Sequence, residues 1–172
     1  MNNVLERWND LPTEAAIAEL LSSCGSRAWA NAVTERRPYA ASEDLFSAAE
    51  IAWQSLGPED WMEAFRSHPR IGEWHAERST TPTSAAWSAA EQKNIQQADV
   101  GVRRAIEEGN MRYEERFGRI FIVCAAGKQP AEILAILERR LANDDETEMR
   151  ESANQQGQIL QLRLRKWLGA RF

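Results

Sequence analysis

Gly118-Arg119-Ile120-Phe121-Ile122-Val123-Cys124-Ala125-Ala126-Gly127 holds the one strand-like patch in the chain. Its apolar centre, Phe121 to Cys124, is a short run between two glycines, and periodicity alone assigns such a run neither to a strand nor to a buried helix. It is expected to be buried, with extended backbone as one of its two options. A single run cannot build a sheet, so the fold class follows from the remainder, and the remainder is written at helical period. Apolar residues recur three and four apart, with glycine and proline at the breaks. The expectation is an all-α protein, one domain over residues 1–172, arranged as an irregular bundle of about seven helices.

Working outward, Pro130 to Leu141 predicts a helix through Ile133, Leu134, Leu137 and Leu141. Glu146 to Leu168 predicts a long one through Met149, Ile159, Leu162 and Leu164. Upstream, a fifth helix is expected from about Ala89 to Glu108, with Gly109 as its left-handed end. Before it lies a polar, turn-rich loop from His68 to Ser84. Nearer the amino terminus, Ile17, Leu20 and Leu21 mark one helix, and Trp29 and Val33 mark a second that Arg37-Pro38 stops. Leu45, Ala49, Ala52, Trp53 and Leu56 mark a third, closed by Gly57-Pro58. A short helix with Trp61, Met62 and Phe65 follows.

Composition bounds the function. The 172 residues are 43% hydrophobic and 27% charged, with seven tryptophans, which is a globular rather than a disordered balance. A net charge of -5 offers no footing on a polyanion, so nucleic acid is not an expected partner. Cys24 and Cys124 lie outside any CxxC spacing, which points away from a disulfide framework and a thiolate zinc site. Met1 to Leu11 lacks the apolar run of a secretory signal, and no stretch approaches the length needed to cross a bilayer. Ala170-Arg171-Phe172 matches neither a peroxisomal tripeptide nor a prenylation box. A cytoplasmic protein without membrane contact is expected.

Three groups could carry chemistry. Of the two histidines, His68 and His75, the first is the better proton carrier. Pro69 restricts its backbone and Gly72 lets the chain turn away, so the imidazole can be aimed rigidly. A bland alternative is a histidine that caps a helix end, and His75 reads as a surface residue. Second, Ser88-Ala89-Ala90-Glu91-Gln92 has the Ser-x-x-Glu spacing of a capping box at a helix start. Such a start would also present free amides to an anion, with the Glu91 carboxylate and the Gln92 amide beside them. Third, Arg163 reads either as a charge complementing the end of its helix or as a planar fork for a carboxylate or ureido group. No metal-ligand spacing, G-x-S-x-G elbow, G-x-G-x-x-G or P-loop is present, so no metal and no nucleotide cofactor are expected.

Taken in order, these segments resemble the OHCU decarboxylase family, OHCU being 2-oxo-4-hydroxy-4-carboxy-5-ureidoimidazoline. The resemblance rests on Asp60-Trp61 and Phe65 leading into Ser67-His68-Pro69-Arg70-Ile71-Gly72-Glu73, and on Ser88-x-x-Glu91-Gln92. It extends through Asn110, Tyr113-Glu114, Arg116-Phe117-Gly118, Phe121 to Ala125 and Gly127-Lys128, then Ile159 to Leu164 with its arginine. Lys93-Asn94 departs from the Ala-Gly that many members place there. The resemblance implies a helical, cofactor-free carboxy-lyase of urate breakdown that forms S-allantoin, often as a homodimer. It implies His68 as the catalytic imidazole, with Glu91 orienting it or sharing its proton. Pro69, Ser88, Ala89, Ala90, Glu91, Gln92, Phe121, Ile122, Val123, Cys124, Ala125 and Arg163 are the implied substrate-binding residues. Competing readings keep the pocket for another ureido compound, or make it a non-catalytic purine-catabolite binding protein. A purely helical interaction protein is a third, disfavoured because tryptophans at helical spacing are usually core.

Overall fold

The structure, a computed structural model, describes residues 3–72 and 81–169. His75 and the carboxy-terminal tripeptide lie outside the described residues. Regular structure among these residues is entirely helical: α1 (Asn3–Asn9), α2 (Thr13–Leu20), α3 (Arg27–Thr34), α4 (Ser42–Gln54), α5 (Pro58–Arg66), α6 (Pro82–Glu91), α7 (Lys93–Gln96), α8 (Val100–Phe117), α9 (Pro130–Arg140) and α10 (Asp145–Trp167). The all-α reading holds, with ten described helices against the seven expected. No described helix is long and apolar enough to cross a membrane. Two compact units form, one from Met1–Ala64 with Gly157–Phe172, the other from Phe65–Gln156.

In the first unit Trp8, Trp29 and Trp53 are core, and the polar tips of Trp8 and Trp29 are satisfied. Trp8 and Trp29 have no exposed surface, and their indole N–H groups donate to Ala16 O and Ala49 O, each at 3.0 Å. Arg37 closes the end of α1 by donating from Nη1 to the carbonyls of Trp8 and Leu11, both at 2.8 Å. The last turns of α10 belong here as well. Trp167 meets Trp8 edge-on at 5.8 Å, and Gln161 Nε2 donates to Phe46 O at 3.0 Å. α1 escaped the sequence reading because seven residues, two of them buried (Leu5 and Trp8), are too short to display a period.

The second unit gathers Ile95, Ile106, Tyr113, Phe117, Phe121, Val123, Ile133 and Leu137 into one apolar core. Beside it sits a fully buried ion pair. Arg140 donates to Glu148 Oε1 from Nε at 2.9 Å and from Nη2 at 2.5 Å, and both side chains have zero exposure. Ser152 Oγ accepts from Arg140 Nη2 at 2.9 Å, the Tyr113 hydroxyl donates to Glu148 Oε1, and Asn143 Nδ2 donates to Glu148 Oε2 at 2.8 Å.

Two sequence expectations are corrected here. The helix read as Ala89 to Glu108 is three helices, because stronger start signals stand elsewhere. Thr81 is the N-cap of α6, its hydroxyl oxygen accepting from Ser84 N at 3.1 Å, and Pro82 fills the first turn. Asp99 restarts the chain as the cap of α8, accepting from Gly101 N at 2.8 Å. The left-handed end falls at Gly118, with φ of 64°, and Gly109 lies buried inside α8. A Cβ there would stand 2.6 Å from Leu137 Cδ2, so this glycine serves close packing of α8 on α9 and not a helix end. Ser88 consequently sits in the last turns of α6 and not at a helix start. The Phe121 to Cys124 run is buried as expected, without strand pairing.

Both tyrosines of the chain are pushed from 10.0 up to about 12, Tyr39 by burial, Tyr113 by burial and then by its bond to Glu148. The folded state therefore keeps two protons that the unfolded chain releases near pH 10, and stability falls as pH rises from about 10 to about 12. Tyrosinate absorbance of the native protein should rise only near pH 12, and the urea midpoint should decline across that window. Native ionisation near pH 10 would contradict this packing.

Candidate active site

His68 lies two residues beyond the end of α5, where its N–H still donates to Phe65 O at 3.1 Å, and it is buried with its Nε2 shut off from solvent. The loop after it is fastened by three side chains from other elements. Arg70 and Glu114 of α8 form a two-pronged ion pair, with Nη2 to Oε2 at 2.7 Å and a second contact from Nε to Oε1. Asn110 Nδ2, also from α8, donates to Ile71 O at 2.8 Å. Gly72, with φ of 91°, donates its N–H to Gln92 Oε1 at 2.9 Å. That last bond joins the histidine loop to the residue directly after Glu91.

Glu91 is half-buried at the end of α6, and Ser88, one turn earlier, is buried. Ala89 and Ala90 are exposed. Because Gln92 N donates to Ser88 O within the run of the helix, the expected free amides of a helix start at Ser88 do not exist there. The oxygen of Gln92 is engaged by Gly72, so that group supports the loop. Pro69 is half-buried in the same loop.

Phe121, Ile122, Val123, Cys124 and Ala125 are all buried, between 2% and 6% exposed. Their backbone is set from outside. Arg140 Nη1 donates to Ile122 O at 2.7 Å, and its guanidinium lies 4.7 Å from the Phe121 ring centroid. Cys124 N donates to Gln155 Oε1 at 2.9 Å, while Lys128 Nζ donates to Cys124 O at 2.9 Å. The sequence reading gave Arg140 and Gln155 no such role. Arg140 stands seven residues after Ile133, on the apolar face of its helix, and a basic residue there is the signal that could have found it. Arg163 is buried, in the part of α10 that belongs to the first unit, whereas the other candidates belong to the second. Among the described residues no group of three or more His, Cys, Asp or Glu is placed to hold a metal.

Comparison with known proteins gives this arrangement its context. A family model described as OHCU decarboxylase matches residues 9–165. The chain belongs to the OHCU decarboxylase family. It is 31% identical to the uric acid degradation bifunctional protein TTL of Arabidopsis thaliana, over 83% of the chain but only 44% of that protein. It is also 31% identical to the mouse (Mus musculus) 2-oxo-4-hydroxy-4-carboxy-5-ureidoimidazoline decarboxylase, covering 82% of the chain and 79% of the relative. A crystal structure of OHCU decarboxylase in the presence of (S)-allantoin superposes with a TM-score of 0.74 at 29% identity, over 88% of this chain and 98% of that one. The chain thus spans less than half of the bifunctional plant protein and most of the single-function decarboxylases.

The buried pair makes a sharp stability prediction for this OHCU decarboxylase family member. Arg140→Met or Glu148→Leu alone should each cost about 3 to 5 kcal/mol, because each leaves an uncompensated buried charge. The double variant should lose clearly less than the sum of the two. Urea denaturation of the four proteins checks this, and strict additivity would show that the two groups are not coupled.

Proposed function

We propose that this chain catalyses the cofactor-independent decarboxylation of OHCU to S-allantoin. The observation that carries the reading is the buried His68, on a loop fastened through Gln92 to the end of the helix bearing Glu91. A general base needs a fixed position beside the proton it takes, and an imidazole on a braced X-Pro junction has one.

The substrate carries a hydroxyl and a carboxylate on one ring carbon, next to a carbon-nitrogen double bond. His68 takes or relays the hydroxyl proton, with Glu91 orienting the ring or sharing the charge. The bond to the carboxylate carbon then breaks, carbon dioxide leaves, and its electron pair moves into the conjugated ring. The resulting enol-like intermediate collects a proton on one face of the ureido-bearing carbon, which gives a single enantiomer. No external electron sink is required, since the ring supplies one. Amides of the Phe121 to Ala125 run hold ring and ureido oxygens, except that of Cys124, which Gln155 already engages. Pro69 and the end of α6 from Ser88 to Gln92 wall the pocket. The family resemblance supports a homodimer, and the cysteine usage of the chain fits a reducing cytoplasm.

Freshly generated OHCU should disappear faster than its spontaneous decay, and chiral analysis should find S-allantoin alone. His68→Gln should lower the rate by about a hundredfold to ten-thousandfold. Affinity for OHCU or allantoin with racemic product formed at the spontaneous rate would instead make the chain a binding protein.

A further inference from the structure

α8 turns one stripe of its surface away from the core of its unit. Val100, Arg104, Glu107 and Met111 follow one another at spacings of four, three and four, so they share one side of the helix. Ile106, Gly109, Tyr113 and Phe117 are buried on the opposite side. Val100 is 69% exposed and Met111 65%, and with Ile51 they are the exposed large hydrophobic residues among those described. A lone apolar residue on a surface calls for no explanation. Here two of the three lie on one stripe, with a basic and an acidic residue between them.

The charges around that stripe have an order of their own. Reversed about a point between Ala105 and Ile106, residues 99–112 set Asp99 against Arg112, Val100 against Met111, Arg103 against Glu108 and Arg104 against Glu107. Every charged residue of the stretch meets one of opposite sign. A two-fold axis through that point, perpendicular to the helix, performs this reversal between two copies, since an isologous contact returns each pairing in the other direction. We propose that the exposed stripe of α8 is the face on which a second copy of this chain docks, helix against helix and antiparallel. Val100 then packs on the partner's Met111, Arg104 pairs with the partner's Glu107, and each contact occurs twice. Within one copy Arg104 Nε donates to Glu108 Oε1 at 2.8 Å, an exposed bond that a partner's carboxylate can share. Parallel docking in register would set Arg104 on arginine and Glu107 on glutamate, which like-charge repulsion opposes. The proposal rests on the homodimer reading, to which it gives a surface, and not on the reaction. Glu107 and Met111 also line a cavity of about 620 Å³ with Arg70, Ile71 and Gly72, so a copy seated on the stripe stands beside the brace of the histidine loop.

Sedimentation velocity on the full chain tests this. A single antiparallel helix pair lies at the low end of specific interfaces, so the unmutated chain should dimerise with a Kd of about 1 to 100 μM. Arg104→Glu and Glu107→Arg should each weaken association by about tenfold or more, because each sets like charges against one another twice. Equimolar mixing of the two variants should restore it, and so should both substitutions in one chain, since opposite charges meet again. Both positions are exposed, so each single variant should keep its Tm within about 2 °C of the unmutated chain, which separates loss of docking from loss of folding. Single variants that dimerise as well as the unmutated chain would move the interface off α8 and overturn the proposal, while the homodimer reading would stand. Weakened variants that fail to associate on mixing would exclude this register and overturn it as well. An unmutated chain that stays monomeric far above that Kd range would remove the homodimer reading itself.

Discussion

A guanidinium and a carboxylate without any exposed surface, Arg140 and Glu148, set the terms for the second unit. Two charges taken out of water are tolerable only when nearly every donor and acceptor around them is used. Here one carboxylate receives Arg140, the Tyr113 hydroxyl and Asn143, while the guanidinium also reaches Ser152 and the Ile122 carbonyl. The network therefore ties α8, α9 and α10 to a segment that has no regular structure of its own. Phe121 to Ala125 has no ladder to hold its shape, and side chains from the helices take that part.

The histidine loop is solved in the same manner with weaker parts. Glu114, Asn110 and Gln92 each hold one consecutive residue of Arg70, Ile71 and Gly72. Catalytic groups gain from being placed before the ligand arrives, because ordering them afterwards draws on binding energy. A loop braced at three successive residues has little freedom left to lose. Both irregular elements of the candidate site are thus rigid for reasons that lie in their neighbours.

The same fact explains what could be read in the sequence. Helical period disclosed α2 to α5 and α9, since each buries an apolar stripe of its own, and α10 through the apolar residues of its second half. It failed across residues 82–117, where Thr81-Pro82 and Asp99 outweigh the Ser88-x-x-Glu91 spacing, and where Gly109 marks a close contact and not an end. Along α10 an apolar stripe was drawn through Met149 and Leu162, which are half-buried, whereas the buried face of its first half is polar. Local pattern flags Arg140 as a basic residue on an apolar face, but carries no sign that Glu148, eight residues on, will meet it there. His68, Glu91, Gln92 and the Phe121 run were legible as candidates, whereas the contacts that hold them, from Glu114, Asn110 and Gln155, were not.

The division of the chain into Met1–Ala64 with Gly157–Phe172 on one side and Phe65–Gln156 on the other bears on how it matures at the ribosome. Every segment of the second unit has been synthesised before the first can find its closing helix, with Trp167 for Trp8 and Gln161 for Phe46. Folding order thus runs against sequence order: the helices before Ala64 lack their closing partner until the segment from Gly157 onward has been made, and apolar faces stay uncovered in the interval. A nascent chain of this design leans on whatever shields those faces until that segment emerges.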